Sequence, residues 1–166
     1  MAIYLSCGKQ AGLEGIATDA LVKDKGASAC SSFQFGVGLG VSISKGGVQK
    51  SDPSLSEIVL TKTFDAMSPA LFINSCLGTT ITKVEIDFTG TAGDAAASSV
   101  IYLKYELTNA IITGHSVSSG GDLPSESISI AYEKIVMTYN TPPKTAKNKD
   151  GSPVVQQFSV IENKKS

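Results

Sequence analysis

Few side chains in this sequence have the type and spacing that catalysis or metal binding requires. His115 is the only histidine, and a single imidazole cannot build a histidine-rich metal centre. The three cysteines, Cys7, Cys30 and Cys76, lie far apart and lack the CxxC spacing of a zinc site. We therefore interpret His115 as an ordinary strand-end or loop histidine and the cysteines as reduced, partly buried thiols.

Other segments resemble functional motifs only in part. The segment 36–40 alternates glycine with aliphatic residues, as a phosphate-binding loop could. Such a loop must be followed by a helix, whereas this segment is followed by residues with the alternation of a strand. Gly8-Lys9 is not followed by Ser or Thr. Glu85 and Asp87 share a face of a predicted strand, about 7 Å apart, but a solvated or intersubunit strand face explains them as well as acid–base chemistry. The sequence predicts no catalytic, cofactor-binding or metal-binding residue, and a protein that is not an enzyme.

Composition narrows the class of protein further. The chain has 166 residues, of which 42% are hydrophobic and 17% charged, which suits one folded domain. Lys and Arg number 14 against 15 Asp and Glu, so no positive field favours nucleic acid as a partner. No stretch approaches the roughly 20 apolar residues of a membrane helix. The N-terminus lacks the pattern of a signal peptide, so we expect synthesis in the cytoplasm and no membrane insertion.

Alternation with a period of two predicts a mainly β protein. From Phe33 to Ile43 every odd residue is apolar and every even residue is small or polar, which predicts one long strand with its odd side chains in a core. Residues 58–64, 83–89 and 101–107 alternate similarly, although Lys62 interrupts the first row. The phase changes within 127–139, which predicts a bulge or a corner between sheets. A short closing strand is predicted around residues 155–160.

One short helix is predicted beside these strands. Ser68 suits the N-cap, Pro69 the first helical position and Gly78 the left-handed residue after the last turn. Cys76 then packs between the helix and the sheet. The predicted fold is a two-sheet β-barrel or sandwich with this helix on its side. It is a single domain over residues 1–166, with an extended loop at about 45–56 and a polar, basic loop at about 141–153.

The even-numbered residues of the strand predicted over 33–43 suggest that this face of the strand forms the wall of a passage or of a ring. Their side chains are neither strongly apolar nor charged, and such a face suits close approach of another backbone or the lining of a water-filled passage. The candidate lumen or ring-wall residues are Gln34, Gly36, Gly38, Gly40 and Ser42.

Short motifs in a fixed order make this sequence similar to a known family. They include SFQFGVGLGVS at 32–42, SLSEIVLTK at 54–62, DAMSPAL at 65–71, CLG at 76–78, VEI at 84–86 and LTNAII at 107–112, followed by a late strand that ends in Thr138-Tyr139. Their order and spacing resemble the haemolysin-coregulated protein (Hcp) family of the bacterial type VI secretion system, over nearly the whole chain.

The resemblance implies a structural role. Hcp-like proteins form homo-hexameric rings that stack into a tube, which a contracting sheath expels and which carries secreted effectors in its lumen. The implied partners are the sheath, spike and baseplate proteins and the effectors. The implied location is the bacterial cytoplasm, followed by secretion to the extracellular space or a target cell. The loop at 45–56 matches the family's extended loop, which projects toward the neighbouring ring. The candidate ring-stacking residues are Lys45, Gly46, Gly47, Gln49, Lys50, Asp52 and Pro53.

Two other functions remain open on the residues alone. A non-catalytic, ligand-binding β-sandwich protein is the main alternative, and it would be monomeric or dimeric with a concave pocket containing aromatic residues. The chain is 7% aromatic and has no tryptophan, which gives a carbohydrate platform weak support. An effector with an additional enzymatic domain is the third, and we expect no room for one, since the chain ends about where the barrel should end.

Overall fold

Strands occupy most of the computed structural model, which describes residues 1–8, 10, 12–91, 99–140 and 152–164. A short 3-10 helix covers Lys23–Lys25, and α1 covers Ser68–Leu77. The strands are β1 (Ala2–Ser6), β2 (Ser28–Gln34), β3 (Val37–Ser44), β4 (Gly47–Leu55), β5 (Ile58–Thr63), β6 (Thr80–Thr91), β7 (Ser99–Ser118), β8 (Ser125–Ala131), β9 (Lys134–Tyr139) and β10 (Val154–Ser159).

Six antiparallel strands close into a barrel. Its order is β7-β6-β1-β2-β5-β8, and the pairing of β8 with β7 closes the ring of strands. β9 and β10 extend from the first half of β7 as a sheet outside the barrel. β3 and β4 form a separate two-stranded sheet. The prediction of a mainly β barrel with one short helix is confirmed.

The phase change in 127–139 marks a corner, as predicted. β8 pairs with the second half of β7, and β9 pairs with its first half. The break between them lies at Tyr132 and Glu133, where the inward parity of the side chains shifts. The closing strand is also confirmed, because β10 pairs with β9 over its whole length.

The barrel core comes from alternate residues of the strands. Ile58 and Leu60 of β5, Ile86 of β6 and Leu107 of β7 are fully buried. Phe33 lies at the edge of this core, with its ring 5.1 Å from the ring of Phe88. At roughly 1.5–3 kcal/mol for each buried aliphatic side chain, these contacts stabilise the barrel without any covalent link.

The predicted strand over 33–43 is wrong in one respect. Phe33 packs against the core, but the strand ends at Gln34. A separate strand, β3, then begins a hairpin, and all of the β3 side chains are exposed. The odd residues 37–43 therefore do not enter the core. The predicted loop at 45–56 is likewise mostly strand, since only Lys45 and Gly46 form the turn and β4 returns from Gly47 to Leu55.

The helix has the predicted bounds but different details. Gly78 ends it in the left-handed conformation, at φ 62°. Met67 is the N-cap, and Ser68 is the first residue of the helix. The Ser68 hydroxyl donates to Glu126 and accepts from Lys62 and from the Asp65 amide, so it caps no amide of the helix. Only Ser68 and Leu71 of the helix are buried. Cys76 is exposed, so its predicted packing against the sheet is wrong.

The predicted polar, basic loop falls almost wholly on residues 141–151, outside the described residues. No helix in the described ranges is long and apolar enough to cross a membrane.

Candidate assembly surface

The β3–β4 hairpin, residues 37–55, projects from the barrel, and we call it the arm. Ser44 pairs with Gly47 across the turn, and Val37 pairs with Leu55 at the base. All eight β3 side chains are exposed. The candidate wall residues lie along this segment: Gln34 ends β2, Gly36 lies in the link, and Gly38, Gly40 and Ser42 lie in β3, all of them exposed.

The arm has one apolar and one polar face, because cross-strand partners point to the same side. The apolar face carries Val37, Leu39, Val41, Ile43, Val48, Lys50, Pro53 and Leu55. The opposite face carries small and polar partners such as Gly38 with Ser54 and Ser42 with Gln49. Ile43 is 79% exposed and Val37 60%, although aliphatic side chains at alternate strand positions usually face a core.

Two of the candidate wall residues, Gly40 and Gly38, differ in how much space the surrounding atoms leave for a side chain. At Gly40 the register shifts, and the Ser51 hydroxyl accepts a hydrogen bond from the Gly40 amide at 3.0 Å. A Cβ at Gly40 would lie 2.5 Å from the Ser51 Oγ, so a larger residue there would displace the Ser51 hydroxyl from its hydrogen bond at the bulge. At Gly38 the nearest atom to an added Cβ is 3.9 Å away. Packing within the arm therefore leaves room for a Cβ at Gly38.

An apolar pocket of about 230 Å³ lies at the base of the arm. Val37, Pro53 and Leu55 of the arm form one side of it. The other lining residues are Phe35, Tyr105, Ile135, Met137, Gln156, Gln157 and Phe158. The apolar face of the arm thus continues into the pocket and reaches β10.

Glu85 and Asp87 belong to a set of charged residues that we call the β6–β7 ion cluster: Lys25, Lys83, Lys104, Glu85, Asp87 and Glu106. Glu85 contacts three lysine ammonium groups, at 2.9 Å from Lys25, 2.7 Å from Lys83 and 2.9 Å from Lys104. Asp87 is 1% exposed, so this face is more than the solvated strand face suggested by the sequence.

The lysines govern the protonation of the cluster. Burial raises the pKa of Glu85, but hydrogen bonds from Lys83, Lys25 and Lys104 outweigh it and lower the pKa to about 2. Hydrogen bonds to Glu106 and Glu85 raise the pKa of Lys83 above its usual value. Both shifts stabilise the charged forms.

A second charged set, which we call the Lys62 cluster, lies inside the barrel wall near the start of α1. The Lys62 ammonium is fully buried, 2.6 Å from Glu126 and 2.8 Å from Asp65. The Ser68 hydroxyl donates to Glu126 at 2.7 Å and accepts from Lys62 at 3.2 Å. His115 Nε2 lies 2.8 Å from Glu126, and because a carboxylate only accepts, that nitrogen carries the proton.

The Lys62 cluster corrects the interpretation of His115. Its side chain is 5% exposed and bonded within the barrel wall, so it is not an ordinary surface histidine. Sequence reasoning missed the cluster, but it offered a signal: Lys62 lies in phase with Ile58 and Leu60 on the inward face of its strand. A lysine in that position needs a buried partner of opposite charge, and the sequence does not say which.

The two ion clusters predict how stability depends on pH. Burial raises the pKa of Glu126, but hydrogen bonds from Lys62, His115 and Ser68 outweigh it, so the pKa is lowered. Glu126 and Glu85 then stabilise the fold fully above the usual value of 4.5, and that stability is lost as the pH falls toward their folded-state values. We expect the urea midpoint to be lower at pH 3 than at pH 7.

The matched control for this prediction is Glu85→Gln. Its acid-induced loss should be smaller than that of the parent protein, since one titrating contact is gone. Equal urea midpoints at pH 3 and pH 7 for the parent protein would contradict the prediction.

The cysteines are expected to differ in reactivity, since the thiolate is the reactive form. Burial raises the pKa of both Cys7 and Cys30 to about 12, with Lys62 opposing the shift at Cys30. Cys76 is exposed. At pH 8 a thiol-specific chromogenic reagent should titrate one thiol per native chain rapidly and the others only in denaturant. Cys76→Ser should remove the rapid phase, and a rapid phase that survives in that variant would contradict the prediction.

No group of three or more His, Cys, Asp or Glu side chains is arranged to hold a metal ion in the part of the chain that the structure describes. Within the described residues, the apolar face of the arm and the pocket at its base form a surface suited to contact with another molecule. Among the described side chains, Asp87 Oδ1 alone is a buried polar atom without a hydrogen-bond partner.

Several solved structures with the same fold are described as Hcp or type VI secretion proteins. A protein described as a type six secretion system protein superposes with a TM-score of 0.80 at 24% identity, covering 99% of both chains. Hcp1 from Salmonella typhimurium gives 0.74 at 19% identity, covering 99% of this chain and 98% of its own. The secreted protein Hcp3 from Pseudomonas aeruginosa gives 0.61 at 23% identity, covering 95% and 98%.

A comparison with curated proteins finds no match. A family model described as "Type VI secretion system effector, Hcp" matches residues 4–139, which is most of the chain. This match, together with the barrel, the lateral helix and the order of the motifs, shows that the chain belongs to the Hcp family of type VI secretion.

Proposed function

We propose that this protein is a non-catalytic structural component of the type VI secretion tube. Six copies form a ring, rings stack into the inner tube, and the tube leaves the cell with effectors in its lumen. The observation that carries the proposal is the arm, whose β3 side chains are all exposed and whose apolar face, beyond the pocket at its base, has no partner among the described residues of its own chain. Such a face is typical of a surface that another molecule covers.

The two faces of the arm support different roles. The small and polar face, with Gly36, Gly38, Gly40, Ser42 and the neighbouring Gln34, suits a water-filled lumen or the ring wall beside it. The turn and β4 supply the stacking contacts through Lys45, Gly46, Gly47, Gln49, Lys50, Asp52 and Pro53. Because several of these residues are charged, stacking should weaken as salt screens them.

The remaining partners and the location follow from family membership. A tube of this kind contacts sheath, spike and baseplate proteins and carries secreted effectors. It is made in the bacterial cytoplasm and delivered to the extracellular space or to a target cell. Nucleic acid and membrane insertion have no part in the proposal.

A ligand-binding β-sandwich protein is the second candidate, and the pocket at the base of the arm favours it. Phe35, Tyr105 and Phe158 provide aromatic lining there. The volume of about 230 Å³ is below the roughly 300–1,000 Å³ of pockets for small molecules. The pocket is better suited to side chains of another protein surface.

Size-exclusion chromatography with light scattering tests the proposal. One chain has a mass of 17.2 kDa, so a closed ring of six has a mass of about 103 kDa. We expect that mass at low and moderate salt, and ring-shaped particles with an open centre by negative-stain electron microscopy. A monomer at both salt concentrations would overturn the proposal and move the ligand-binding protein to first place.

A further inference from the structure

A cleft of about 510 Å³ lies at the corner where the chain passes from β8 into β9, and we call it the corner cleft. β7 changes its strand partner there, from β9 at Thr108 to β8 at Ile111. The volume is within the roughly 300–1,000 Å³ of sites for small molecules. None of the lining residues belongs to the arm or to the pocket at its base, so the corner cleft is a separate feature of the surface.

Glu133 holds a carboxylate in a fixed position in the corner cleft. Its amide donates to the Thr108 carbonyl at 3.1 Å, and its carbonyl accepts from the Val160 amide at 2.8 Å. The Asn109 side-chain amide donates to Glu133 Oε2 at 2.6 Å. Within the described residues no ammonium group pairs with this carboxylate, and Oε1 accepts no hydrogen bond. The negative charge is therefore available to a ligand.

Asn109 adopts the left-handed backbone conformation inside β7, with φ 49°. Residues other than glycine rarely adopt this conformation, although asparagine does so more readily than most. Strained backbone of this kind clusters at binding sites, where the side chain must be held in one position. The Asn109 amide nitrogen bonds to Glu133, and its Oδ1 accepts no hydrogen bond from the described part of the chain. Asn109 thus supplies a second acceptor beside the carboxylate.

Apolar side chains form the walls of the corner cleft. Ile111 and Tyr132 line it from the barrel. The Tyr132 hydroxyl is already bonded to the Ser56 carbonyl, at 3.0 Å, so the Tyr132 ring contributes apolar surface. Ile161 lines the cleft from the turn after β10 and is 71% exposed. A ligand that matches these walls and the acceptors has a short aliphatic stem and a cationic end.

A guanidinium group suits these acceptors better than an ammonium group. It is planar and carries several N–H donors in a fixed fork, so it can donate to a carboxylate and to a second acceptor at the same time. It is also more weakly hydrated, which lowers the cost of placing it against apolar walls. All 14 basic residues of the chain are lysines, so a guanidinium group must come from another molecule.

We propose that the corner cleft is a binding site for an alkylguanidinium group. The Glu133 carboxylate and the Asn109 carbonyl hold the cation, and the apolar walls hold its stem. Two sources have this chemistry, a free guanidino compound such as agmatine and an arginine side chain of a partner protein. The site goes beyond the proposed function and does not require a ring, since all of its residues belong to one chain.

Saturation-transfer difference NMR on the unmodified protein tests the proposal, with n-butylguanidinium as the probe. We expect saturable binding at low salt, with a dissociation constant of about 1–10 mM for a ligand of this size. The neutral isostere n-butylurea should bind about tenfold more weakly, because it makes no charge-assisted hydrogen bond. Absence of saturable n-butylguanidinium binding, or equal binding of the two probes, would overturn the proposal.

Glu133→Gln removes the charge and keeps the shape of the side chain, and Glu162→Gln is the matched control. Glu162 is an exposed carboxylate next to Ile161, and it pairs with Lys164 at 3.1 Å. Glu133→Gln should weaken n-butylguanidinium binding about tenfold, and Glu162→Gln by less than about twofold. Equal losses would overturn the site, since they would report only on net charge.

Asn109→Gly tests the second acceptor without straining the backbone, because glycine adopts the left-handed conformation readily. It removes Oδ1 and the bond that orients Glu133, so binding of n-butylguanidinium should weaken by about threefold or more. Unchanged binding in this variant would overturn the role of Asn109.

Agmatine and N-acetylarginine amide distinguish the two sources. Binding of both within about threefold of n-butylguanidinium would show that the side chain of a partner protein can enter the cleft. Binding of agmatine alone would assign the cleft to a free guanidino compound. Exclusion of both would overturn the proposal. Probe binding by a protein that stays monomeric would leave the site intact while the proposed function fails.

Discussion

Lys62→Ala is expected to lower the free energy of unfolding by about 3–5 kcal/mol, because it leaves Glu126 without its buried cationic partner. The Lys62 ammonium is fully buried and contacts Glu126, Asp65 and the Ser68 hydroxyl. For a chain of this length the loss corresponds to roughly 6–20 °C in the melting temperature. Urea unfolding at pH 7, followed by circular dichroism, measures it.

The β6–β7 ion cluster provides the matched control. Lys104→Ala also removes a lysine from carboxylates, but its side chain is 23% exposed and Glu85 keeps two other lysines. Water and the two remaining lysines compensate for the missing ammonium group, so we expect the free energy of unfolding to fall by at most about 1 kcal/mol. Lys62→Met combined with Glu126→Leu should recover much of the loss, since an apolar pair leaves no unpaired charge between them. Equal losses in Lys62→Ala and Lys104→Ala would contradict this account.

Val41→Asp is expected to abolish ring assembly at micromolar concentration, whereas Ser42→Asp keeps the ring. Val41 lies on the apolar face of the arm and its neighbour Ser42 on the polar face, and both are exposed in the single chain. In the proposed ring the first carboxylate would be buried on an apolar face, and the neighbouring Lys50 ammonium offsets only part of the desolvation, which costs several kcal/mol for each contact. At 1.4 kcal/mol for each tenfold change, affinity falls by roughly 30-fold or more per contact.

The measurement is the mass by light scattering over a dilution series. Val41→Asp should elute at the mass of one chain and Ser42→Asp at that of six. Because both changes add the same charge to adjacent exposed positions, a difference between them reports on the face and not on net charge. A mass of six chains for Val41→Asp would show that the apolar face of the arm takes no part in assembly, and a mass of one chain for both variants would contradict the difference expected between the two faces.

Local patterns determined most of the elements. Period-two alternation located β5, β6, β7 and β8 of the barrel, because side chains that alternate along a strand must divide between core and solvent. It did not locate β1 or most of β2. Pro69 and Gly78 set the bounds of α1 within its own few residues. The phase change near Tyr132 marked the corner for the same local reason. The order of the short motifs was also sufficient to place the chain in the Hcp family.

Tertiary structure alone decided what lies opposite each face. The odd-numbered residues of 37–43 have the pattern of a buried strand, yet this strand projects from the barrel. Alternation indicates that one face of a strand is apolar, but it does not indicate which part of the protein, or which other molecule, covers that face. Lys62 interrupts an apolar row, but Glu126 and His115 reach it only because β8 and β7 fold beside β5 and α1. These partners are distant in sequence, and no local pattern joins them. The sequence by itself therefore determined most of the barrel strands, the helix and the family, and the three-dimensional arrangement decided the ion clusters and the projecting arm.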